Sequence, residues 1–132
     1  TVDASFISLK ILLPVIKKWF DFSLRTSHSN EVKSKKGEVL ALIKPQFEAG
    51  KKDVARGDGV IRDPEIHRQV LLDVLTFAKQ GGFSLRGLIK SPLLGPKGNA
   101  EFLVWLDFQE SGRSVEELVD EAMAESAMHV TE

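Results

Sequence analysis

Apolar residues recur at helical spacings in some stretches of this chain and alternate, or run together, in others. Ile11, Leu12, Val15, Ile16, Trp19 and Phe20 define a first amphipathic helix. Its regular part is expected to begin near Leu12 or Leu13, because proline suits a first turn and Pro14 follows there. Asp63-Pro64-Glu65 marks a second helix start: a capping carboxylate, a proline at the first helical position, then an acid at the positive dipole end. Ile66, Val70, Val74, Phe77 and Ala78 form its apolar stripe, and Gly81-Gly82 stops it. Ser114-Val115-Glu116-Glu117 reads as a capping box for a last helix with the stripe Val115, Leu118, Val119, Ala122 and Met123.

Three stretches read as strands. Residues 38–44 run apolar through Leu40-Ala41-Leu42-Ile43 and end at Lys44, since Pro45 cannot donate to a strand ladder. Residues 83–89 follow the second helix. In residues 100–108, Phe102, Val104, Leu106 and Phe108 alternate with Leu103 and Trp105, so both faces carry large apolar groups and both are expected to be covered. Glu101 opens that strand without any pattern that would bury it. Residues 21–37, rich in Ser and Lys, read as a surface loop, and residues 45–62 as a long irregular loop of the kind that carries function. A lone histidine beside a helical stripe, such as His67, is more simply structural than catalytic.

Strands alternating with helices predict an α/β fold with a parallel sheet and right-handed crossovers. The expected architecture is the second half of a doubly wound, Rossmann-like sheet, mostly parallel, with an antiparallel last strand and helices on both faces. Ligands of such sheets sit at the carboxyl ends of the parallel strands. Asp3, placed at the end of a first strand, and Lys44 would lie at that edge. An antiparallel last strand beside the second would bring Glu101 to it as well. No G-x-G-x-x-G turn follows a strand.

Composition narrows the partners. The 42% apolar fraction is that of a globular domain, and 132 residues suffice for one core. No apolar run reaches the roughly 20 residues that span a bilayer. The absence of Cys excludes disulfides and thiolate metal sites, and leans towards the cytoplasm. Residues 1–106 hold 17 Lys/Arg against 11 Asp/Glu, whereas residues 107–132 hold one Arg against eight acids. The basic body tolerates a polyanion; the acidic tail does not. Two regions follow, residues 1–108 and an acidic helical extension over residues 109–132.

Four motifs carry a family resemblance. They are Val2-Asp3-Ala4-Ser5-Phe6-Ile7-Ser8-Leu9, Leu42-Ile43-Lys44-Pro45-Gln46-Phe47-Glu48-Ala49-Gly50, Val60-Ile61-Arg62-Asp63-Pro64-Glu65-Ile66-His67 and Gly95-Pro96-Lys97-Gly98-Asn99-Ala100-Glu101-Phe102. In this order, from Val2 to about Leu106, they resemble the TlyA (hemolysin A) family of FtsJ-like ribosomal RNA methyltransferases. The resemblance implies S-adenosyl-L-methionine as cofactor, ribosomal RNA or a ribosomal subunit as partner, and transfer of a methyl group to a ribose 2′-hydroxyl. It also implies a Lys-Asp-Lys-Glu tetrad. The Asp falls on Asp3, the second Lys on Lys44 and the Glu on Glu101, while Asp3, Ser5 and Phe6 would contribute to holding the cofactor. The first Lys, the glycine-rich cofactor turn and an RNA-binding domain have no counterpart in these residues. The chain is therefore expected to be the C-terminal half of a catalytic domain, inactive alone.

The chemistry suits those residue types. A ribose hydroxyl is a poor nucleophile until its proton is taken or its oxygen oriented, and a positioned lysine can do either. Asp3 and Glu101 would orient lysine and ribose. Two other readings stand beside this one: a non-catalytic RNA- or protein-binding module, and, from the hemolysin name, a membrane-active protein. The amphipathic stripes fit core packing better than the latter.

Overall fold

The computed structural model describes residues 9–26, 37–50, 59–110 and 112–128. Its elements in chain order are α1 (Leu9–Thr26), β1 (Glu38–Ile43), the short α2 (Pro45–Glu48), α3 (Pro64–Gln80), β2 (Ser84–Lys90), a 3-10 turn (Pro96–Gly98), β3 (Phe102–Asp107) and α4 (Val115–Met128). The three strands form one sheet in the order β1-β3-β2. Both pairings are antiparallel. The mixed α/β class and the antiparallel last strand beside β1 are as expected; among the described residues no two strands pair in parallel, because β1 and β2 run the same way with β3 between them. That insertion replaces the direct parallel pairing that strand-helix-strand order implies.

One face of the sheet makes the core. Across the register, Val39, Leu106 and Leu85 form one row, and Ala41, Val104 and Leu88 the next. These residues cluster with Leu13 and Ile16 of α1, Leu71, Val74 and Leu75 of α3, and Leu118, Val119 and Ala122 of α4. The buried stripes of the three long helices therefore join one cluster with a single sheet face. Among the described residues no helix covers the other face, where Leu40, Ile89 and Trp105 are 44%, 47% and 43% exposed. Among the described residues, then, helices cover one sheet face and β3 is covered on that side. An apolar pattern on two faces states what burial a strand can use, not whether these residues supply it.

The helix ends follow their local chemistry. The Asp63 side chain accepts from the Glu65 N–H at 2.9 Å, with Pro64 at the first helical position. At the far end of α3, the Phe83 N–H reaches the Ala78 carbonyl and the Gly82 N–H the Lys79 carbonyl, with Gly82 at φ +94°. That double closure needs a left-handed residue, which glycine supplies without a Cβ penalty. Ser114 caps α4 through the Glu117 N–H at 3.1 Å. The Glu117 carboxylate does not close the box but pairs with Arg113, which also holds Glu121.

Several boundaries differ from expectation. Helix α1 starts at Leu9, ahead of Pro14, and continues through Thr26 into what reads as loop. Glu48 Oε1 accepts from the Leu9 N–H at 2.8 Å, satisfying a donor that helix starts leave open. Its buried stripe is Leu9, Leu13 and Ile16; Ile11 and Trp19 of the expected stripe are exposed. In α3, Leu71 and Leu75 are fully buried, whereas Ile66 and Phe77 lie at the margin. Residues 45–48 are a helical turn rather than loop, because Pro45 presets its backbone for one.

Candidate functional site

The site is built at the end of the sheet where β1 and β2 finish and β3 begins. Ile43 pairs with Phe102 in the β1–β3 ladder, and Lys90 pairs with Phe102 in the β2–β3 ladder. One step beyond, the same registers set Lys44 opposite Glu101 and Ser91 on its other side. The second of these is closed by a hydrogen bond from the Ser91 N–H to the Glu101 carbonyl, at 2.8 Å. Lys44 and Glu101 thus come to one rim from strands distant in sequence. Asp3, Ser5 and Phe6 lie outside the described residues.

Lys44 occupies the hinge between β1 and α2. Its backbone is extended, and its carbonyl accepts from the Phe47 N–H at 2.9 Å. The sequence produces this hinge because Pro45 ends the ladder and starts a turn in one step. Lys44 is 9% exposed and Glu101 8%. Burial of a lysine and a glutamate at a strand end is costly unless each is satisfied, and such costs are concentrated at sites that act on charge. The tie from Leu9 to Glu48 fixes the start of α1, six residues after Asp3, against the segment that carries Lys44.

Glu101 is enclosed by the loop before it. The turn at residues 95–99 closes on itself: the Gly95 N–H donates to the Asn99 carbonyl at 2.7 Å and the Gly98 N–H to the Gly95 carbonyl at 3.1 Å. Lys97 adopts φ +58° within it. Asn99, 3% exposed, fastens the turn to the chain ahead of α3, its Oδ1 accepting from the Ile61 N–H and its Nδ2 donating to the Gly59 carbonyl, both at 2.9 Å. His67 holds the other side of Ile61, its Nε2–H donating to the Ile61 carbonyl at 2.8 Å. The His67 ring also meets Phe102 edge-on, with centroids 5.8 Å apart. His67 is buried, and desolvation lowers its pKa below the usual 6.5, opposed in part by the bond to Ile61. It is structural, as its place beside the stripe implies. Asn99 and Gly95 are the residues that sequence reasoning passes over; the glycine-proline-glycine spacing marked a loop but gave no sign of what the loop wraps.

Among the described residues no group of acids and histidines is placed to hold a metal, and no helix is long and apolar enough to cross a membrane.

Residues 1–108 match the FtsJ-like methyltransferase family, and the chain belongs to it. Among its relatives, it is 38% identical over 121 residues to YqxC of Bacillus subtilis, covering 92% of this chain and 38% of that protein. It is 35% identical over 127 residues to the 16S/23S rRNA (cytidine-2′-O)-methyltransferase TlyA of Mycobacterium tuberculosis, covering 93% and 42%. A solved structure from Streptococcus thermophilus, described as a hemolysin, superposes with a TM-score of 0.71 at 38% identity, covering 98% of this chain and 44% of that one. The chain therefore spans about two-fifths of the length of the curated relatives it matches.

Proposed function

We propose that this chain forms the Lys44- and Glu101-bearing part of a methyltransferase that modifies a ribose 2′-hydroxyl of ribosomal RNA. The carrying observation is that the strand register brings two buried ionisable residues, Lys44 and Glu101, to one sheet rim, in a chain of the FtsJ-like family. The name of the Mycobacterium tuberculosis relative supports the substrate class.

The donor set fits S-adenosyl-L-methionine and a ribose in part. Gln46 Oε1, two positions beyond Lys44 in the chain, is a buried acceptor with no hydrogen-bond partner among the described residues. Asp3, Ser5 and Phe6 would help to hold the cofactor; the remainder of its site is assigned to the portion of the relatives' length that this chain does not span. When bound, the cofactor supplies an electrophilic methyl group. Lys44 activates the hydroxyl: as the neutral amine it would take the proton, and as the ammonium it would hold the oxygen in place. Glu101, with Asp3, orients the lysine and the ribose. Burial of the rim keeps water from competing with the ribose and strengthens these charge interactions.

The test is methyl transfer from labelled cofactor to ribosomal RNA by the full-length product of the reading frame that contains this chain. Incorporation into RNA, with the label on a 2′-oxygen, supports the proposal. A full-length product that binds ribosomal RNA but transfers no methyl group would favour a non-catalytic RNA-binding role.

A further inference from the structure

Gly95 lies directly beneath the Glu101 carboxylate. A Cβ placed on Gly95 would stand 2.0 Å from Glu101 Oε1, 2.7 Å from its Cδ and 3.1 Å from its Cγ. No other group is as near to that position. The space a side chain would need is already taken by the outer end of one particular carboxylate.

Gly95 is not needed here for its backbone. It is absent from the residues with positive φ, which in this loop are Lys97 and Gly98. Alanine could therefore adopt the Gly95 conformation without strain. The loop is also tied in place. The Gly95 N–H and carbonyl are both engaged within the turn, by Asn99 and Gly98. Asn99 is buried and anchored at both ends of its amide to Gly59 and Ile61, and Ile61 is gripped again by His67. Of the two parts in contact, the turn is fixed and the far end of Glu101 is movable.

We infer that Gly95 is a positioning residue: its missing side chain, presented by the Asn99-anchored turn, sets where the Glu101 carboxylate rests at the rim opposite Lys44. The inference deepens the methyltransferase reading and rests on it. A methyl group on Gly95 would drive the carboxylate back by about 1 Å or more to restore ordinary contact. Displacements of that size at a reacting centre cost on the order of a hundredfold in rate. The backbone, the core and the other rim residue would remain as they are.

The experiment compares the full-length wild type, Gly95→Ala, Glu101→Ala and the double variant for kcat, KM of the methyl donor and melting temperature. Gly95→Ala is expected to melt within a few degrees of wild type, to lose kcat by about a hundredfold and to keep its KM. In the Glu101→Ala background the same substitution is expected to remove nothing further, since the carboxylate it displaces is gone. A kcat within about twofold of wild type would overturn the inference, as would an equal loss in both backgrounds. A Gly95→Ala protein that melts far below wild type would overturn it too, since the glycine would then serve folding. A wild type that transfers no methyl group removes the parent reading and this inference with it, whereas an active wild type with an unaffected Gly95→Ala removes this inference alone.

Discussion

His67 donates its Nε2–H to the Ile61 carbonyl and lays its ring against Phe102. This neutral tautomer fits a site where desolvation is the main influence on its pKa. Unfolded, the residue titrates near 6.5; folded, it titrates lower. Between the two values the unfolded chain binds more protons, so stability falls as pH drops below about 6.5 and the loss levels off beneath the folded pKa. His67→Gln keeps a donor for Ile61 and removes the titration. Denaturation midpoints at pH 5 and pH 7.5 should therefore differ less in His67→Gln than in wild type; an equal difference would assign the acid sensitivity elsewhere. At this scale the place of Lys44 at the end of β1 was legible, because Pro45 cannot continue the strand ladder. The burial of Glu101 was not, since it depends on Gly95 and Asn99, whose contacts come from a turn and from residues 59–61.

The elements were legible where their ends carry their own chemistry. Asp63-Pro64 and Gly81-Gly82 bracket α3 because capping is settled within a few residues. Asp63→Ala should cost about 1 kcal/mol through the lost bond to the Glu65 N–H, read as a lower denaturation midpoint at constant slope. A shift below a few tenths of that would mean that Pro64 alone sets the start. The buried stripe of α1 was less legible. Leu9, Leu13 and Ile16 alternate with Ile11, Val15 and Trp19 as a second apolar stripe, and the choice between them is made by α3 and the sheet. A helix apolar over much of its surface has no orientation of its own. The antiparallel last strand beside β1 was legible, but the strand order was not. Element order fixes which strands are present, but not that β3 will separate β1 from β2.

At the scale of the whole molecule, the described residues form two layers with an open apolar sheet face. Leu40 and Trp105 are cross-strand partners there, and Ile89 pairs with Leu103 one row on. Contiguous exposed apolar surface of this kind marks an interaction face. The 132-residue chain should bind a dye that fluoresces in apolar environments. Leu40→Glu with Ile89→Lys should weaken that binding while the helical circular dichroism stays the same. Unchanged dye binding would move the apolar surface to the exposed stripe of α1, Ile11 and Trp19.

The same topology makes the site. Because β3 runs against its neighbours, its first residues share a rim with the last residues of β1 and β2, which brings Lys44 and Glu101 to the same end of the sheet. The proposed chemistry of this rim is the activation of a ribose hydroxyl. It is tested most directly by methyl transfer to ribosomal RNA in the full-length protein carrying Lys44→Ala. A loss of at least about a hundredfold in kcat is expected, with the fold and cofactor binding retained. Transfer at the wild-type rate would contradict it.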